Sequence, residues 1–224
     1  MGTTEIRVGK IVLRDAALDY RKKSWLFRFA KRTFDIVASL GVLICLSWFL
    51  ALIALLIYIE DRGNPFFAQD RAGKDGKRFR FYKFRSMCVN AEALFAKMQE
   101  QNEQTGNAFK IKDDPRITKI GKFIRKYSID ELPQLVNVLK GDMSIVGPRP
   151  ILFHQMEECC EYDRQRLAVR PGLTCIWQIS GRANIKWEQW VELDLKYIRE
   201  MSIWNDIKII LKTIPVVLTG DGAY

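Results

Sequence analysis

From Ile36 to Ile59 the chain carries no charged residue. As a helix this run exceeds the roughly 20 residues that cross a hydrocarbon core. A helix buried in a soluble core is seldom so long and so uniformly apolar, so the run is expected to enter a membrane. Its flanks are basic on both sides, with Lys31 and Arg32 ahead and Arg62, Arg71, Lys74, Lys77, Arg78 and Arg80 behind. A single spanning helix normally leaves its basic flank on one side. Two basic flanks are easier to place if both ends stay in the cytosol and the helix bends back within one leaflet. Ser47, near the middle, is the expected break, because its hydroxyl can serve a freed carbonyl. No proline accompanies it.

What surrounds the run sets the domain plan. Residues 1–30 are polar, then basic and aromatic around Arg21–Arg32, as in interfacial segments. No small-residue cleavage site follows the apolar run, so a signal peptide is not expected. The plan is an interfacial segment (1–30), a membrane-inserted re-entrant helix (31–62) and one cytosolic catalytic domain (63–224). Its expected fold is α/β, mostly helical with a small β-hairpin, carrying interfacial amphipathic helices.

A net charge of +10 favours polyanions such as nucleotide phosphates, anionic lipid or nucleic acid, and does not choose among them. The five Cys are odd in number and no C-x-x-C pair occurs, while His154 is the single histidine. Zinc-ligand spacing and a disulfide framework are therefore not expected, and a Ser–His or Cys–His scheme has little support.

After a turn at Asp61–Pro65, Phe66–Arg71 and Lys77–Arg85 read as strands joined at Asp75–Gly76, a hairpin signal. The second arm alternates aromatic and basic residues. Lys83 and Arg85 either face a phosphate or form an ordinary solvated strand face. Met87–Gln101 reads as a helix, Gln104–Asp114 as a polar loop, and Asp114–Thr118 starts a basic helix containing Lys119, Lys122, Arg125 and Lys126. Phe153–Val169 is expected to be one charged helix and Leu173–Ile179 a short strand. Trp187–Met201 and Ile203–Leu218 read as amphipathic helices, the second interrupted at Pro215.

The densest chemistry lies in Ser128–Pro150, SIDELPQLVNVLKGDMSIVGPRP. Ser128-x-x-Glu131 fits a capping box, and from spacing alone that structural role is the simpler account of Asp130 and Glu131. Pro133 offers a different start, near Leu132, which leaves both acids just ahead of the regular helix. In either case two adjacent carboxylates sit at a helix N-terminus, where a phosphate and a divalent cation would be welcome. Gly-Pro-Arg149-Pro holds an arginine on stiff, extended backbone, suited to bidentate phosphate contact, although a solvated arginine in a rigid loop is equally compatible with the spacing.

KFRSM at 83–87, DPRITKIGKFIR at 114–125, the 128–150 stretch, RPGLT at 170–174 and SGR at 180–182, in this order, resemble the bacterial sugar transferases. These are the polyprenyl-phosphate sugar-1-phosphate transferases, or monotopic phosphoglycosyl transferases; the chain resembles their small, catalytic-core form. The resemblance implies a bacterial enzyme at the cytosolic face of the inner membrane. It implies transfer of sugar-1-phosphate from a UDP-sugar to undecaprenyl phosphate, with release of UMP, as the first membrane step of polysaccharide or glycoconjugate assembly. Asp130 is implied as the nucleophile forming a covalent phosphosugar, with Glu131 assisting through metal or proton handling. Mg2+ is the implied cofactor, held by Asp130 and Glu131. Arg125, Arg149 and Arg182 match arginines expected near the phosphates or nucleotide. Partners are then UDP-sugar, undecaprenyl phosphate and membrane lipids, with no nucleic acid and homodimerisation left open. The chain departs from the family where Ser47–Trp48 replaces Ser–Pro and where Cys175 stands in place of a common glycine. The competing readings are a membrane-tethered polyanion binder with no catalysis, and a polyprenol-dependent enzyme of another class such as a phosphatase.

Overall fold

The computed structural model describes residues 6–8, 11–13, 20, 22–98, 114–181 and 185–220. Strands β1 (Ile6–Val8) and β2 (Ile11–Leu13) form a short antiparallel pair ahead of helix α1 (Trp25–Glu60). Ser24 caps α1 by accepting from the Phe27 backbone N–H at 3.1 Å. The helix is 36 residues long, about 54 Å. The break expected at Ser47 is absent, because helical backbone runs through it without interruption. The Ser47 hydroxyl bonds the Ile44 carbonyl at 2.9 Å from within the helix. Trp48 retains the N–H that a proline would lack, so no rung of the ladder is lost. Among the described residues α1 is the one helix long and apolar enough to cross a membrane. Val37, Ile44, Trp48 and Leu55 stand exposed along it.

The hairpin forms where expected. Strands β3 (Phe66–Ala72) and β4 (Arg78–Phe84) pair antiparallel, with Phe67 opposite Lys83 and Arg71 opposite Phe79. Asp75 and Gly76, at φ 56° and 73°, make the left-handed turn. Strand parity then decides which side chains share a face. Phe79 and Phe81 are buried against Val138 and Met143, and Lys83 continues the same face, to which Arg71, opposite Phe79, also belongs.

Helix α2 (Ala91–Met98) follows, and the loop read at 104–114 lies outside the described residues up to Asp114. Helix α3 (Lys119–Lys126) is capped by Thr118, whose Oγ1 accepts from the Gly121 N–H at 2.9 Å. A 3-10 turn at Ile129–Glu131 precedes helix α4 (Gln134–Lys140), which Gly141 closes in a left-handed conformation at φ 92°. Strand β5 (Ser144–Val146) then pairs with β6 (Gly172–Thr174) in parallel.

The stretch between these strands corrects an expectation. It is helix α5 (Phe153–Glu158), helix α6 (Glu161–Arg164) and a 3-10 turn at Gln165–Ala168, because Cys159 and Cys160 adopt extended backbone and break the helix. The strand read at Leu173–Ile179 also shortens to β6, followed by a 3-10 turn at Trp177–Ile179. Helices α7 (Trp187–Glu200) and α8 (Ile203–Thr219) complete the fold. Helix α8 continues through Pro215, which is exposed and omits one ladder bond without ending the helix. Val146, Val191, Leu195, Ile198 and Ile209 make the main core, between β5, α7 and α8.

Both ends of α1 dock on this one body. Near its start, Lys31 Nζ donates to Asp206 Oδ2 (2.6 Å) and to the Val146 carbonyl (3.1 Å). Arg32 donates to the Val138 and Leu139 carbonyls at the end of α4. Buried Asp35 accepts from Ser144 Oγ and the Ile145 N–H, both at 3.0 Å. Near its end, Ile53 and Ile57 pack on Phe84 and Ile124. The Glu60 carboxylate accepts from the first N–H groups of α3, Lys119 (2.8 Å) and Ile120.

Candidate active site

The capping box does not form. Ser128 sits in the left-handed region (φ 53°, ψ 23°), where its side chain makes no cap, and the helix proper starts only after Pro133. A non-glycine residue there is strained. Asp130 and Glu131 are therefore released from a capping duty and lie on the 3-10 turn that links α3 to α4.

Their surroundings are cationic. Lys83 reaches the turn from the buried face of β4, beside Arg125 and both acids. Arg125 is held by Ser86, whose Oγ accepts from its Nε at 2.8 Å. Ser86 in turn fixes α3. Its carbonyl accepts from the Thr118 N–H, and it comes so close to Gly121 that a Cβ there would lie 2.0 Å from that oxygen. Thus KFRSM and the start of α3 form one unit, with Lys83 and Arg125 on the same side. Arg116 pairs with Asp114 through three of its nitrogens and supports that unit from behind.

Arg149 closes the other side. Its Nη2 donates to Glu131 Oε1 at 2.7 Å and its Nη1 to Gln178 Oε1 at 3.2 Å. Burial lowers its pKa, but the Glu131 charge and hydrogen bond more than offset this, so it stays charged. Arg71 stands behind Arg149, near Glu131, and donates to the Pro150 carbonyl at 3.1 Å. Burial and the neighbouring Arg149 charge bring its pKa down to about 10.

Asp130 makes no hydrogen bond to another described residue. Burial, then the neighbouring Glu131 charge, push its carboxyl up to about 7 against the pull of Lys83, Arg125 and Arg149. Lys83 moves the opposite way, to about 8, through burial and then the Arg125 charge.

Of the residues singled out in the sequence, Lys83, Arg125, Asp130, Glu131 and Arg149 come together. Arg85 does not join them: it turns to the end of α1, donating to the Asp61 carbonyl at 2.8 Å. Arg182 lies outside the described residues. Ser47 is remote, in mid-helix. Sequence reasoning missed Arg71, whose cue was strand parity with Lys83.

It also missed the support under Arg149. The Arg149 carbonyl accepts from Arg166 Nη2 at 3.0 Å, and the same nitrogen bonds Asp194. The Arg149 guanidinium lies 5.1 Å from the Trp177 ring centre. Trp177 stacks on Trp190 at 5.1 Å, and Trp190 in turn lies under Arg166 at 4.8 Å. Arg149 is thus held at its backbone and at its guanidinium face by one connected set.

On the opposite side of the acidic turn the chemistry changes. A cavity of about 660 Å³ opens between α3, the turn, β6 and α8, with almost entirely apolar walls. Glu131 and Gln178 line it, and Phe49 of α1 contributes to its wall.

Residues 26–220 match the bacterial sugar transferase family. The chain is 53% identical over 199 residues to a galactosyl transferase, CpsE, of Streptococcus agalactiae, covering 87% of this chain and 43% of that protein. It is 45% identical over 207 residues to an undecaprenyl-phosphate galactose phosphotransferase of Salmonella typhimurium, covering 88% and 42%. The chain thus spans less than half the length of these two relatives. With an exopolysaccharide production protein, ExoY, of Sinorhizobium fredii, the identity is 38% over 199 residues and the match covers 87% of this chain and 88% of that one. With these matches added to the motifs that bring Lys83, Arg125 and Arg149 to one acidic turn, the chain belongs to the bacterial sugar transferase family.

Proposed function

We propose that the chain is a phosphoglycosyl transferase that moves sugar-1-phosphate from a UDP-sugar to undecaprenyl phosphate, yielding the lipid-linked diphosphate sugar and UMP. The observation that carries this reading is Asp130, a half-buried carboxylate whose side chain bonds to no described residue while Lys83, Arg125 and Arg149 lie close enough to act on its charge. The names of two relatives, the galactose phosphotransferase and an N-acetylgalactosaminephosphotransferase of Aeromonas hydrophila, agree with the reaction class.

In the first step an Asp130 oxygen attacks the phosphorus that carries the sugar. The bond from that phosphorus to the bridging oxygen breaks, and UMP leaves with the electron pair. In the second step a phosphate oxygen of the lipid attacks the same phosphorus. The aspartyl oxygen–phosphorus bond breaks, restoring the carboxylate. Each step brings anion to anion, and the surrounding cations offset that repulsion. Splitting the transfer lets a soluble donor and a lipid acceptor use one site in turn. Ionised Asp130 is the competent form, and Arg149 steadies Glu131 beside it.

The donor set also fits Mg2+. That ion commonly takes one or two carboxylates together with substrate phosphates and water, and among the described residues no cluster of three His, Cys, Asp or Glu side chains offers a protein-only cage. Asp130 and Glu131 would hold it, and bound there it would supply charge neutralisation to the diphosphate. The docking of both ends of α1 on one body supports placing both basic flanks on the same, cytosolic face of a bacterial inner membrane. The exposed middle of α1 then lies toward the lipid.

The test is intact-mass measurement after incubation with Mg2+ and a panel of UDP-sugars, without acceptor. An added hexose-phosphate on the parent protein, absent in Asp130→Asn, is expected together with one equivalent of UMP. Turnover of donor and lipid with no adduct, unaffected by Asp130→Asn, would reject the reading.

A further inference from the structure

The cavity beside the acidic turn is built for a particular kind of occupant. Leu173, Ile210, Ile214 and Val217 form one side. Thr174 and Thr213 also line it, but their hydroxyls are spent within the wall. Thr213 Oγ1 donates to the Ile209 carbonyl at 2.8 Å, so Thr174 Oγ1 donates to Thr213 at 2.6 Å. A nucleotide or sugar entering here would meet mostly hydrocarbon and regain few of the hydrogen bonds it makes with water, and a peptide would strand most of its N–H and C=O groups. A hydrocarbon chain carries no such groups.

The two ends of the cavity differ. At its inner end Glu131 and Gln178 both accept from Arg149, with Lys83 and Arg125 nearby. At its outer end Leu218 and Phe123 are 68% and 50% exposed. The Arg149 guanidinium, standing behind Glu131 and Gln178 at one end, and an open apolar mouth at the other complement an amphiphile with an anionic head and a long apolar tail.

We infer that this cavity holds the first isoprene units of the lipid acceptor, phosphate inward at Arg149, with the chain leaving between α3 and α8. This rests on the transferase reading above and adds where the lipid lies. The wall contributed by Phe49 places the chain against α1, so the helix that meets the bilayer also guides the acceptor out of it.

Undecaprenyl phosphate carrying a diazirine on its first isoprene unit, irradiated with the parent protein, is expected to label residues within 123–132 or 210–218. Labelling confined to other surfaces would overturn the assignment. Leu173→Trp and Ile214→Trp, which fill the cavity, are expected to raise the KM for undecaprenyl phosphate at least tenfold. An unchanged KM in both, or a dimer that they dissociate with KM unchanged, would overturn it as well. Should either variant misfold, the labelling result on the parent decides alone. Failure of the parent to form any adduct from donor alone would instead strike the transferase reading, so the two failures are separable.

Discussion

Two ionic clusters in this molecule, one buried and one half-buried, invite comparison. Arg166 and Asp194 are matched one to one, each 1% exposed, and roofed by the indoles of Trp187 and Trp190. Around the acidic turn, by contrast, two carboxylates sit amid Lys83, Arg125, Arg149 and Arg71. The first cluster is balanced and closed, so it serves as scaffold. The second is short of negative charge, which the diphosphate of the proposed donor would supply. Residue type alone does not tell them apart: charge balance and sealing do.

The comparison is broken most severely at Asp130. Asp130→Asn should lower turnover by roughly three orders of magnitude or more, read as UMP release. The same change should stabilise the fold at alkaline pH. The carboxyl titrates at about 7 in the folded protein, above its ordinary 3.8, so the folded state holds its proton longer than the unfolded state does. Stability is therefore fully present below the unfolded value and is lost as pH rises toward 7. Asp130→Asn should melt higher than the parent at pH 8 and at the same temperature near pH 4. Thermal melts at the two pH values check this.

In the balanced cluster the cost should fall on folding first. Asp194→Asn leaves the Arg166 charge buried without its counter-ion, which costs about 3–5 kcal/mol. Replacing both partners, as Arg166→Met with Asp194→Leu, should recover much of that loss in denaturant unfolding. A double variant as unstable as the single one would contradict the scaffold role.

The charge-poor cluster should show itself in pH dependence. The kcat/KM for donor should rise as Asp130 ionises near 7 and fall as Lys83 loses its proton near 8. Lys83→Arg should remove the alkaline limb, since a guanidinium keeps its charge there. A limb that persists in Lys83→Arg would assign it elsewhere.

The smallest effect joins the two clusters. Trp177→Phe weakens the stack under Arg149 and should cost a few-fold in donor KM, on the scale of a cation–π contact of about 0.5–2 kcal/mol. In an Arg149→Ala background the same change should add nothing. A merely structural tryptophan would lower both backgrounds alike, and the double-mutant cycle distinguishes the two cases.

Much of this was readable in the chain. The hairpin announced itself through Asp75–Gly76 and alternation, and the acidic pair, Lys83, Arg125 and Arg149 stood in motifs. Local rules failed where tertiary contact overrode them. The capping box at Ser128–Glu131 was sound by spacing, yet Ser128 adopts φ 53° and its side chain makes no cap. Pro215 has the right to end a helix, but an exposed position on α8 tolerates one missing bond. Arg166, Asp194 and Trp190 were invisible because their meaning lies in contacts between residues far apart in sequence. Arg85 had the same apparent credentials as Lys83. Its position one residue past the end of β4 sends it to Asp61 instead.

The twin moorings of α1 carry a mechanical corollary. Lys31, Asp35 and Glu60 fasten a rod of about 54 Å to the globule near both tips, so it acts as a strut and not as a leash. A strut fixes elevation: on the proposed placement of the exposed middle of the rod in lipid, the aspartate would ride at a set height above it. Thinner or thicker bilayers should then alter how readily the lipid phosphate meets that aspartate, even though nothing in the acidic turn itself has changed.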